Sequence, residues 1–157
     1  MSGVIIRDAD TASDIELART LFLEYAQALG FSLCFQGFDQ ELASLPGKYA
    51  RPRGRLLLAA NDGQAAGCVG LRALEDGICE MKRLYVRPAF RRKSIGRLLA
   101  EQVISEARAI GYTRMRLDTV AGTMADAVVL YRRLGFVEIP PYCENPNASV
   151  LYMELSL

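Results

Sequence analysis

The run Arg91-Arg92-Lys93-Ser94-Ile95-Gly96 crowds three cations and two small residues ahead of an amphipathic stretch that continues to Ile110. A helix starting here leaves its first N–H groups without intrahelical partners and adds the positive end of its dipole. Backbone donors, dipole and cationic side chains together make a place to hold a phosphate-like anion. A solvated, basic surface turn is the other reading of the same six residues, and their types alone leave both open.

Proton-transfer chemistry is bounded by what the chain lacks. It contains no histidine, which removes Ser-His-Asp and Cys-His mechanisms. Cys34, Cys68, Cys79 and Cys143 form no C-x-x-C pair, so no metal site is expected and the thiols are read as reduced and mostly interior. Acid–base work therefore falls to carboxylates, tyrosine, lysine, water or the substrate.

Nineteen Lys and Arg against eighteen Asp and Glu leave a net charge of +1, which argues against a nucleic-acid partner. No apolar run approaches the roughly 20 residues that cross a bilayer, and MSGVIIRDAD lacks a signal-peptide layout. No membrane partner is expected, and a cytoplasmic location is the default. At 157 residues the chain suits one domain, 1–157, with a substantial core.

The elements that must position the basic turn follow from periodicity. Val4–Arg7 reads as a strand. Ser13-Asp14-Ile15-Glu16 has capping-box spacing, and Leu17, Leu21, Phe22, Tyr25 and Leu29 recur at helical intervals, giving a helix over Asp14–Leu29. Residues 31–54 are irregular, with one short helix at Asp39–Ser44. Arg55–Ala60, Ala65–Leu74 and Ile78–Val86, separated by Asn61-Asp62-Gly63 and Glu75-Asp76-Gly77, form an antiparallel meander. Gly67 and Gly70 mark a bulge or a close backbone approach in its middle strand.

Ile95, Leu98, Leu99, Val103, Ala107 and Ile110 then line one face of a helix that stops at Gly111. Arg114–Asp118 reads as a strand, parallel to Ile78–Val86 if both share a sheet. A helix over Thr123–Leu134 and strands at Phe136–Ile139 and Val150–Leu155 complete an α/β domain with a mixed central sheet flanked by helices.

The order of residues in Arg91–Gly96 resembles the Arg/Gln-x-x-Gly-x-Gly/Ala pyrophosphate loop of the GCN5-related N-acetyltransferase (GNAT) family. Leu84-Tyr85-Val86-Arg87-Pro88 is similar to that family's approach to the loop. Ala127-Val128-Val129-Leu130-Tyr131-Arg132-Arg133-Leu134-Gly135-Phe136 resembles its downstream signature. The resemblance covers nearly the whole chain, is strongest over residues 80–136, and implies the acyl-CoA N-acyltransferase (GNAT) fold. In that fold the strands matching Ile78–Val86 and Thr113–Asp118 splay apart around acetyl-coenzyme A.

The resemblance implies an acetyl-CoA-dependent N-acetyltransferase whose amine, on a small molecule or peptide, attacks directly in a ternary complex. A non-catalytic coenzyme A or nucleotide-binding regulator and a protein-interaction module are the competing classes. Cofactor contacts are implied at Leu84, Tyr85, Val86, Arg91, Arg92, Lys93, Ser94, Ile95, Gly96 and Arg97. Tyr131 matches the family's general acid, and Glu80 matches a glutamate that serves some members as base. A base near neutral pH would need its carboxyl pKa raised by desolvation. Tyr25, Phe31, Phe35, Asp39, Tyr142 and Glu144 lie where the family builds its acceptor pocket. Ser94 stands where glycine is usual, adding a Cβ beside the phosphate path and a hydroxyl able to donate to it. Monomer and homodimer both stay open.

Overall fold

The computed structural model describes residues 3–29, 37–120, 125–145 and 149–157. Strand β1 (Val4–Asp8) leads into helix α1 (Ala12–Leu29), followed by α2 (Phe38–Ser44) and a single-turn 3-10 segment, Gly47–Tyr49. Strands β2 (Arg55–Asn61), β3 (Gln64–Glu75) and β4 (Ile78–Val86) come next. A second 3-10 turn, Pro88–Phe90, precedes α3 (Ile95–Ile110), β5 (Arg114–Val120), α4 (Ala125–Leu134), β6 (Val137–Ile139) and β7 (Val150–Ser156). Most elements match the periodicity to within two residues.

The start of α1 differs from expectation. The Asp14 N–H donates to Thr11 Oγ1 at 3.1 Å and the Thr11 N–H donates to Asp14 Oδ2 at 3.2 Å, a reciprocal box two residues before the expected Ser13–Glu16 one. The reason is Arg7, whose Nη1 donates to the same Asp14 oxygen at 2.7 Å and fixes that carboxylate at the helix entrance. This hydrogen bond, joined by the Thr11 and Asp10 N–H groups, outweighs desolvation and holds Asp14 well below the usual carboxylate range.

The strands form one mixed sheet in the order β1-β2-β3-β4-β5-β7-β6, antiparallel except for the β4–β5 pair. Helices α3 and α4 cover one face, where Leu99 and Val103 of α3 share a core with Leu71, Met81 and Met115 of the sheet, and α1 and α2 cover the other, where Phe22 and Tyr49 share one with Leu58 and Cys68. Leu98, expected on the buried stripe of α3, is exposed; Ala100 and Ile104 are buried on that helix instead. Cys68 and Cys79 are buried, Cys143 is exposed, and Cys34 lies outside the described residues. Among the described residues no helix is long and apolar enough to cross a membrane.

Two irregularities of β4 shape the site. Its parallel pairing with β5 covers only Ile78↔Arg114, Cys79↔Met115 and Glu80↔Arg116, after which the strands part, as the resemblance implies. On its other edge, Gly70 pairs with Lys82 but Cys68 pairs with Tyr85, so β4 carries one extra residue. That bulge puts Arg83 at φ 60, and the Cys68 thiol donates to the Arg83 carbonyl at 3.4 Å. Both strand glycines prove to be close approaches: a Cβ on Gly67 would meet the Tyr85 carbonyl oxygen at 2.4 Å, and one on Gly70 the Tyr49 ring at 2.6 Å.

Candidate active site

Where β4 and β5 separate, a cleft opens between Met81, Lys82, Arg83 and Leu84 on one side and Asp118 and Thr119 on the other, with Tyr25 and Tyr131 completing its lining. From Met81 onward β4 has no β5 partner, and Arg83 and Leu84 have none in the β3 register either. The strand edge facing the gap is thus left with backbone groups that a ligand can use.

Tyr131 reaches the cleft from α4 and is buried, its ring edge-on to Phe136 at 5.7 Å. Desolvation, with the charges of Tyr25 and Asp118 adding to it, pushes its pKa far above the usual tyrosine value. The phenol is therefore fully protonated at physiological pH. Thr119 Oγ1, buried in the same lining, has no hydrogen-bond partner among the described residues.

At the carboxyl end of β4 the basic turn folds back on the strand: Arg91 Nε donates to the Val86 carbonyl at 3.0 Å. Arg92 and Ser94 both have positive φ, 66° and 63°, so the chain needs left-handed backbone at the position where glycine is usual. Because Ser94 is left-handed rather than extended, its hydroxyl does not cap α3, although its carbonyl accepts the Leu98 N–H at 3.0 Å. Ile95 is buried under the helix, which leaves only its backbone to face a ligand. Gly96 is the small residue beside Val86, where a Cβ would sit 3.6 Å from Val86 Cγ2. Arg91, Arg92, Lys93 and Arg97 are exposed, Arg97 in an i,i+4 pair with Glu101 at 3.3 Å. Tyr85 turns its side chain toward α1, donating to Glu24 Oε1 at 3.2 Å; Arg87 holds the same carboxylate at 3.0 and 2.8 Å.

Glu80 sits in a different setting from the one a neutral-pH base requires. It is 2% exposed, takes Nε and Nη2 of Arg72 on Oε1 at 2.9 and 2.8 Å, and accepts the Tyr142 hydroxyl on Oε2 at 2.7 Å. Desolvation alone would raise its pKa, but the charges of Lys82 and Arg72 and the bonds from Tyr142 and Arg72 together lower it. The desolvation-raised carboxyl that a base at this position demands is thus replaced by a pinned carboxylate.

Further ion pairs extend along this face. Arg83, 3% exposed, holds Glu41 through Nε and Nη2 at 3.0 and 3.1 Å and lies over the rings of Phe38 and Tyr25. Lys82 Nζ stands 3.7 Å from Asp118, and Arg116 Nε donates to Glu154 at 2.8 Å. Of the expected acceptor residues, burial pushes the Tyr25 phenol up to about 12 at the cleft wall. Tyr142 joins Glu80 and packs against Tyr152 and the Arg116 guanidinium. Asp39 and Glu144 are exposed, and Phe31 and Phe35 lie outside the described residues. Arg72, Arg83, Glu41 and Asp118 escaped the sequence reading; the alternation of β4 flags charged residues in a buried strand but not their partners.

A sheet opened between β4 and β5, with a cationic loop at the head of the intervening helix and a phenol at the gap, is the architecture of an acyl-carrier-dependent transferase. The acetyltransferase (GNAT) family model matches residues 19–136, and the chain belongs to that family. An uncharacterized N-acetyltransferase of Schizosaccharomyces pombe is 40% identical, covering 99% of this chain and 96% of its own. An acetyltransferase of the GNAT family from Staphylococcus aureus superposes with a TM-score of 0.80 at 20% identity over 98% of both chains. Salmonella typhimurium yncA, solved with its cofactor acetyl-CoA, superposes with a TM-score of 0.66 at 21% identity over 98% of this chain and 94% of its own.

The protein is thus an acyltransferase with acetyl-coenzyme A as its cofactor, and the site suits that molecule. Unpaired β4 backbone lines the gap, and left-handed turns beside four exposed cations stand at the anion-binding end of α3. The relatives' shared enzyme name does not favour a purely regulatory binder.

Proposed function

We propose that the protein moves an acetyl group from acetyl-coenzyme A to a primary amine of a small molecule or peptide, by direct attack within a ternary complex. The observation that carries this reading is the end of β4–β5 pairing at Glu80↔Arg116, with Tyr131 standing at the opening. The bound cofactor supplies an acyl thioester. The backbone of Leu84, Tyr85 and Val86 aligns its pantetheine arm, and the N–H groups of Ile95, Gly96 and Arg97 with the cations of Arg91, Arg92, Lys93 and Arg97 hold its diphosphate. Ser94 adds a hydroxyl that its own helix does not use.

Tyr131 is the proton donor. Its raised pKa keeps the proton on oxygen, so the phenol meets the negative charge developing on the departing sulfur as a hydrogen-bond donor, and its burial strengthens that bond. Glu80 acts as a positioning residue. A carboxylate held below its usual pKa is more than about 5 units less basic than a free alkylamine, so it takes a proton from an ammonium group with poor driving force. The amine reacts from its neutral fraction, about one part in a thousand at pH 7.4, and releases its surplus proton to water.

Thiol release with an amine panel tests both roles. Tyr131→Phe lowers kcat by about 10²-fold or more with coenzyme A affinity nearly unchanged; unaltered turnover removes Tyr131 as the acid. The rate rises with pH toward the amine pKa in both wild type and Glu80→Gln. An ionisation between pH 6 and 8 that disappears in Glu80→Gln would restore Glu80 as the base.

A further inference from the structure

Among the described residues two buried side-chain oxygens have no hydrogen-bond partner, those of Tyr49 and Thr119. The Tyr49 hydroxyl faces the Glu41 carboxylate, whereas Thr119, 5% exposed, belongs to the lining of the β4–β5 gap. Buried hydroxyls are ordinarily bonded, and one left over in the wall of a ligand cleft is accounted for by the ligand.

The strand fixes which way this hydroxyl points. The β5–β7 ladder runs from Arg114↔Ser156 to Val120↔Val150 without a bulge, so side chains alternate strictly along β5. Met115 and Leu117 belong to the core under α3 and α4, and Val120 to the core under α1 and α2. Thr119 therefore faces the α3/α4 side, from which Tyr131 enters, while Asp118 faces the other side with Lys82. The β4–β5 register, continued past its last pair at Glu80↔Arg116, brings Thr119 level with Arg83 and next to Leu84. That is the inner end of the Leu84–Val86 segment that aligns the pantetheine arm, so the hydroxyl stands at the acyl end of the carrier and not at its diphosphate. Met81 and Leu84, the other lining residues in the same core, are apolar, which leaves Thr119 and Tyr131 as the side-chain donors on this side. A reacting thioester has two atoms that gain negative charge, sulfur and the carbonyl oxygen, and Tyr131 serves the sulfur.

We infer that Thr119 is a second hydrogen-bond donor of the reaction, its hydroxyl directed at the carbonyl oxygen of the bound acyl thioester. Thr119 keeps its proton throughout. It donates to the electron pair pushed onto that oxygen as the nitrogen–carbon bond forms. It gives up the charge when the pair returns and the carbon–sulfur bond breaks, with the electrons of that bond leaving on sulfur beside Tyr131. Donors placed where charge develops act most strongly in a buried site.

The inference rests on the acetyl-transfer reading, and calorimetry beside turnover separates their failures. Acetyl-coenzyme A carries the carbonyl and coenzyme A lacks it. Thr119→Val is expected to weaken acetyl-coenzyme A severalfold with coenzyme A affinity unchanged, and Thr119→Ser, which keeps the hydroxyl, to bind both as the wild type does. In thiol release Thr119→Val lowers kcat by about 10- to 100-fold with little change in the amine KM, and Thr119→Ser recovers most of it. A loss shared by both ligands, or by neither, overturns the inference, as does an unaltered kcat or a serine variant no better than valine; acetyl transfer itself survives each of these. A loss confined to acetyl-coenzyme A in a protein that turns over no amine upholds the contact and rejects the transferase reading. A wild type that binds neither ligand rejects both. Thr119→Val exchanges an unpartnered hydroxyl for a methyl group, so the Tm of the free protein should not fall; a fall would reveal an internal partner for the hydroxyl and overturn the inference.

Discussion

The two halves of β4 solve their tasks by different means. Toward its carboxyl end the chain presents backbone: an edge without a β5 partner, left-handed Arg92 and Ser94, and the open end of α3, with exposed cations around them. From Glu80 to Arg83 it presents charged side chains that are buried and each held by a partner from another element. Backbone donors serve any diphosphate of the right shape, so the cofactor end needs few particular side chains. An acceptor is distinguished by its own functional groups, and for that fixed charges are required. Fixing charge in a low-dielectric setting demands pairing, and the ion-pair chain on this face meets that demand.

The contrast breaks most visibly at Arg83. Replacing it with methionine leaves Glu41 half-buried and unpaired, and is expected to lower stability by about 3–5 kcal/mol in urea unfolding. Adding Glu41→Leu should recover much of that loss, since removing both charges spares the fold the orphaned one. At the cofactor end, Arg91→Ala with Arg92→Ala is expected to weaken coenzyme A binding by about tenfold at low salt, and by clearly less at 0.5 M salt, because exposed charges are screened. Calorimetry at two ionic strengths reads this directly, and a salt-independent loss would mean that the loop depends on buried side-chain contacts after all.

Asp14 gives a smaller effect with a defined pH sign. Its pKa is lowered on folding, so its contribution is fully present above the unfolded value of about 4 and is lost as pH falls through the folded one. Asp14→Asn is expected to cost about 1 kcal/mol at pH 7 and to flatten the loss of stability below pH 4. Ser94→Gly should have the least effect, a gain of up to about 1 kcal/mol from relief of left-handed strain, with coenzyme A binding unchanged or slightly tighter. A loss of affinity would instead show that the serine hydroxyl holds phosphate.

The same contrast explains what the sequence disclosed. The cofactor loop is built from contiguous residues, so its small and basic pattern survives as a short string, and the strand–helix–strand order around it follows from periodicity. The acceptor face joins residues far apart: Arg83 to Glu41 across 42 positions and Glu80 to Tyr142 across 62. The first of these pairings is made from a bulge that puts an arginine at positive φ, a conformation that arginine's propensities do not announce. Glu80 was therefore identifiable as a residue of interest, while the bonds that lower its pKa were not. Leu98 shows the limit of helical periodicity, because which edge of an apolar stripe is covered depends on the sheet beneath it.

The central claim is that the turn ahead of α3 holds the cofactor's diphosphate by its backbone and thereby directs the thioester into the β4–β5 gap. A crystal structure with coenzyme A bound tests it most directly. The account predicts phosphate oxygens within hydrogen-bond distance of the Ile95 and Gly96 N–H groups, with the sulfur near the Tyr131 hydroxyl. A diphosphate lying away from this turn, or a sulfur outside the gap, would contradict it.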